Sequence, residues 1–90
     1  MGLYYFHLRD GDDLLLDPEG CRLPDLRAVA ERAMRTARSL LSMDVLEGRL
    51  PLAMRIDVAD ETGALIHSLP FADAVAIEPL GSASGAPAGV

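Results

Sequence analysis

The chain has two histidines, His7 and His67, and a single cysteine, Cys21. His7 lies in Leu3-Tyr4-Tyr5-Phe6-His7-Leu8-Arg9-Asp10-Gly11, a strictly alternating segment. Alternate side chains of a strand leave opposite faces. Tyr5, His7 and Arg9 therefore share one face, and Tyr4, Phe6 and Leu8 share the other. An imidazole between a phenol and a guanidinium is the set best suited to chemistry: a general base at His7, or a shallow site for a small anion. Arg55 and Asp57 sit on the outward face of a second alternating segment, so the candidate interaction face is Tyr5, His7, Arg9, Arg55 and Asp57, with His67 as a further member of unsettled facing. The plainer reading is a solvated or interface face with cross-strand pairs. It is preferred, because a flat face holds a ligand poorly and binding sites are concave.

Other reactive residues lack the spacing that chemistry needs. Asp10, Asp12, Asp13, Asp17 and Glu19 are acidic, but a calcium loop started at Asp10 has Leu14 at position five and Cys21 where a bidentate Glu belongs. They read as two acidic turns. Cys21 has no His near it in sequence, and a reactive thiol needs a neighbouring base. Ser39, Ser42 and Ser68 stand in no Gly-x-Ser-x-Gly setting. No glycine-rich phosphate loop or Cys/His metal spacing occurs. The expectation is a non-enzyme with no catalytic residue, cofactor or metal.

The elements that position these residues follow from the pattern. Residues 3–10 predict a strand, Asp10-Gly11-Asp12-Asp13 a turn and Leu14-Leu15-Leu16 a short second strand. Asp17-Pro18-Glu19-Gly20 is a second turn. A helix begins at Pro24 or Asp25, with Asp25 as N-cap. Its apolar face is Leu26, Val29, Ala30, Ala33, Met34, Ala37, Leu40 and Leu41, and it ends near Gly48. Residues 53–59 predict the third strand and 65–69 the fourth. The pattern Leu23-Pro24-x-x-x-Ala28-Val29-Ala30 recurs as Leu69-Pro70-x-x-x-Ala74-Val75-Ala76, which argues for a short helix over 71–77, with an extended segment as the alternative. The fold class is α+β: a two-layer β-β-α-β-β arrangement, an antiparallel four-stranded sheet of order 2-1-3-4 with one long helix on one face. Residues 1–79 form one domain, and the Gly/Ala/Ser-rich stretch 80–90 reads as a flexible tail.

Composition narrows the partners. The formal charge is −6 over 90 residues, which suits a protein partner better than nucleic acid, whose binding rests on neutralised phosphates. Arg22, Arg27, Arg32, Arg35 and Arg38 make one basic patch, interrupted by Glu31 and read as a solvated helix face. A domain this small buries limited surface, so a homodimer or another protein partner is expected. No run approaches a membrane span, no signal segment opens the chain, and one thiol fits a reducing compartment, so the expected location is cytoplasmic.

Tyr4 to Asp12, then Asp17-x-Glu19-Gly20-x-x-Leu23-x-Asp25, Ala37-Arg38-x-Leu40-Leu41 and Pro70-Phe71-x-Asp73-Ala74 resemble a family of small bacterial proteins known as a domain of unknown function. The resemblance covers residues 3–77. It implies a fold and an extent, with no activity to carry over. A weaker likeness is to HicB-type antitoxin domains, which pass from short strands into an Ala-rich helix and bind a small basic toxin. The DNA-binding appendage of that family is missing. Three readings follow: a self-associating interaction module, an anion binder over Tyr5, His7, Arg9 and Arg55, and an antitoxin-like regulator of a basic partner.

Overall fold

The alternating N-terminal segment forms the longest strand, β1, over Gly2–Asp10. The computed structural model describes residues 1–80. After β1 come β2 (Asp13–Leu15), β3 (Cys21–Leu23), the helix α1 (Leu26–Leu46), β4 (Arg55–Ala59) and β5 (Leu65–Pro70), then a single 3-10 turn at Phe71–Asp73. The fold is α+β, with one α-helix among the described residues and an antiparallel sheet of five strands.

The main path through the sheet is β2-β1-β4-β5, and β3 also pairs with β1. The expected four strands are thus corrected to five. Cys21–Leu23 escapes sequence reading because three residues are too few to show alternation. β2 and β3 lie along the same edge of β1, Leu8 facing Leu15 and Tyr4 facing Cys21. Between these pairs β1 has three residues and the outer chain has five, so the outer strand carries two extra residues and bulges.

Helix α1 starts where its cap chemistry dictates. Asp25 Oδ1 accepts the N–H of Ala28 at 2.8 Å. At the other end, Gly48 has φ +85, its N–H donates to Val45 O, and Arg49 N–H donates to Asp44 O. These two bonds make a Schellman motif. Val29, Ala33, Ala37 and Leu41 form the buried stripe. Ala30, Met34 and Leu40 flank it half-buried, whereas Leu26 is 61% exposed. Leu26 falls at the helix start, where the chain has only just left β3.

The small alanines bring α1 close to the sheet, with Ile56, Val58, Leu69 and Phe71 completing the core. Ile56 and Val58 of β4 are buried, while Tyr4, Phe6 and Leu8 of β1 are only half-buried. The helix therefore lies over the β4–β5 half of the sheet. The expected helix at 71–77 is limited to Phe71–Asp73, fixed by Phe71 N–H donating to Met54 O at 2.8 Å and Arg38 Nε to Ala74 O at 2.8 Å. Apart from Leu80, the expected tail lies outside the described residues.

Candidate functional site

Register assembles the open sheet face. His7 lies opposite Asp57, Arg9 opposite Arg55 and Tyr5 opposite Ala59. Directly opposed residues share a face, so Tyr5, His7, Arg9, Arg55 and Asp57 stand together. Ser68, opposite Asp57 on β5, joins them. His67 is opposite Val58 and so belongs to the helix-facing side. The two histidines are on different faces, because the step from β4 to β5 places Ser68 rather than His67 beside Asp57.

Asp57 is the centre of the face. It is 7% exposed. Its Oδ1 accepts from Ser68 Oγ at 2.7 Å and is 3.1 Å from Arg55 Nε, while Oδ2 accepts from Arg9 Nε at 3.1 Å. Burial opposes its ionisation, but the Ser68 hydroxyl and the Arg9 and Arg55 guanidiniums prevail and hold its carboxyl below the usual value. Both arginines share this one carboxylate, so their guanidiniums are held within the sheet by a group of the chain itself, although the trio keeps a net positive charge.

His7 is engaged as well. Its Nδ1 accepts the backbone N–H of Asp17 at 3.0 Å, so the neutral ring carries its proton on Nε2. Its ring stacks on Tyr5, with centroids 6.2 Å apart and planes 13° from parallel. The Asp17 carboxylate accepts three backbone N–H groups: Phe6 on Oδ2, and Glu19 and Gly20 on Oδ1, each at 3.2 Å. Burial pushes the Asp17 carboxyl up, but the Phe6, Gly20 and Glu19 amides together outweigh it and bring it below its ordinary value.

Gly20 packs where no side chain fits. At φ +74, an added Cβ would sit 3.0 Å from Tyr5 Cε2 and 3.1 Å from Tyr4 O. The 16–20 loop thus folds onto the open face beside Tyr5 and His7. Sequence reading missed Asp17 and Ser68 as members of this face. The Asp-Pro-Glu-Gly turn signals the first; nothing local signals the second, which is set by pairing alone.

Concave surface is found on the helix. A cleft of about 540 Å³ is lined by Ala30, Glu31, Met34, Arg35 and Arg38. Arg27 pairs with Glu31 at 3.8 Å, and Arg32 donates to Cys21 Sγ at 3.4 Å. Among the described residues, no three His, Cys, Asp or Glu residues are grouped to hold a metal ion. None of the described helices is long and apolar enough to cross a membrane.

Comparison with known families decides the chain's kinship. The model for a domain of unknown function, DUF6894, matches residues 3–72. The chain belongs to the DUF6894 family. Apart from Gly2, the match takes in every strand and the whole of α1, so the bulged β2–β3 edge and the Asp57 face both lie inside the DUF6894 region. No curated protein and no solved structure matches the chain.

Proposed function

We propose that this DUF6894 domain is a non-catalytic protein-interaction module. The observation that carries the reading is the outer edge of β2. Leu14, Leu15 and Leu16 are 43%, 68% and 60% exposed, consecutive, and at the margin of the sheet. Scattered surface leucines need no explanation, but Leu14 and Leu15 on the two faces of an outer strand, with Leu16 directly after it, leave that edge apolar on both sides, of the kind that binds another chain. The polar face supports the same reading from the other side. His7 and Asp57 each hold a neighbouring segment in place, which is structural work rather than proton transfer to a substrate.

The test is affinity capture of the tagged full chain from its own cells, compared with Leu15→Lys. Leu15 is exposed, so the variant keeps its fold, which circular dichroism checks. Specific partners, or a second copy, captured by the wild type and lost by the variant support the reading. Identical captured sets refute it.

A further inference from the structure

The chemistry of that partner is written on β2 and its flanks, if the interaction-module reading holds. Asp10 pairs with Asp13 across the two-residue turn Gly11-Asp12. Gly11 has φ +62 and Asp12 does not have positive φ, as a type II′ hairpin requires. In such a hairpin the closing pair exchanges its backbone bonds and the next pair does not. The next pair is Arg9 with Leu14. The N–H and C=O of Leu14 therefore point away from β1, toward the outer edge.

Charge brackets this edge. Asp10, Asp12 and Asp13 are exposed before the leucines, and Glu19 is exposed after them. The chain carries no basic residue from Asp10 to Cys21. Proteins protect an open edge by placing charges or proline on it; here the charges stand at both ends and the middle is bare leucine. We infer that β2 accepts an added strand from another protein, an extended aliphatic segment bracketed by Arg or Lys. Backbone bonds to Leu14 and contacts with Leu15 and Leu16 supply affinity, and the carboxylates select the flanks. A second copy fits less well. It would bring two identical acidic edges together, and each copy carries −6.

The experiment is selection from a displayed library of random linear peptides on the immobilised full chain, followed by anisotropy and amide-shift mapping with the enriched sequences. Enriched peptides should be aliphatic with Arg or Lys at both ends and should shift the amides of 13–16. They should lose about tenfold or more in affinity with Leu15→Lys and weaken as salt rises. The Asp12→Lys, Asp13→Lys double variant should select an acidic residue at the flank facing 12 and 13, with the flank facing Glu19 still basic. Neutral or acidic peptides enriched on the wild type overturn the inference, as do shifts confined to other residues. So does a wild-type dimer in sedimentation equilibrium that Leu15→Lys converts to monomer. These failures leave the interaction-module reading standing when cellular capture still depends on Leu15. If capture is indifferent to Leu15, that reading falls by itself.

Discussion

The backbone N–H of Asp17 donates to His7 Nδ1 at 3.0 Å, and the Asp17 carboxylate in turn accepts the N–H of Phe6 at 3.2 Å. Two adjacent residues of β1 thus exchange bonds with one residue of the bulge. The Phe6 N–H faces the gap between β2 and β3, where no strand residue can pair with it, and Asp17 takes the place of the missing backbone carbonyl. The aromatic-imidazole pair that first reads as a site is the clamp of an interrupted edge strand.

Replacing Asp17 with Ala removes acceptors from three amides at once. Unfolding in urea should show a loss of about 2–3 kcal/mol, since part-buried donors left unmade cost about 1 kcal/mol or more each. Hydrogen exchange at the Phe6 amide should accelerate relative to Leu8, which pairing with Leu15 of β2 continues to protect.

His7→Asn and His7→Leu separate acceptor from bulk. Asn can return an oxygen near the Nδ1 position; Leu cannot. Leu should cost about 1 kcal/mol more than Asn in thermal or urea unfolding. Equal losses would mean that ring stacking on Tyr5, not the bond to Asp17, is what His7 supplies.

Acid should destabilise the domain through Asp17 and Asp57. Both carboxyls are held below their ordinary value in the fold. The unfolded chain therefore binds more protons in this range, and stability rises with pH. The contribution is complete above the unfolded carboxylate value of about 4 and is lost as pH falls through the lower folded values. Urea midpoints measured from acid to neutral pH should climb and then level. Asp57→Asn should flatten the climb while lowering the neutral plateau.

Gly20 and Gly63 offer a matched pair. Both have positive φ, but an added Cβ at Gly63 meets nothing within 4 Å, whereas at Gly20 it meets Tyr5, Leu3 and the Tyr4 carbonyl. Gly63→Ala should cost about 1–2 kcal/mol, the left-handed penalty. Gly20→Ala should cost more, with the Tyr5 ring resonances displaced.

Ala37 is fully buried under the sheet. Ala37→Leu should destabilise by about 1–3 kcal/mol through overpacking. The same change at exposed Ser39 should be close to neutral in a thermal melt.

The sequence by itself determined the local elements. β1 follows from strict alternation, α1 from the Asp25 cap, the Val29–Leu41 stripe and Gly48, and the β4–β5 hairpin from the alternation of β4 and the Asp60–Gly63 turn. It also placed Tyr5, His7, Arg9, Arg55 and Asp57 on outward positions, because a period of two needs no partner to be read. Only the tertiary structure decided what those residues do. Ser68 reaches Asp57, and Asp17 reaches His7, across separations of about ten residues that pairing register and a two-residue bulge close. Register is a property of two strands together, and three-residue β3 exists only because β1 offers it an edge. For the same reason His67 left the face that its type recommended, and the leucines of β2, unremarkable as a short strand, became an exposed edge once α1 settled over β4 and β5.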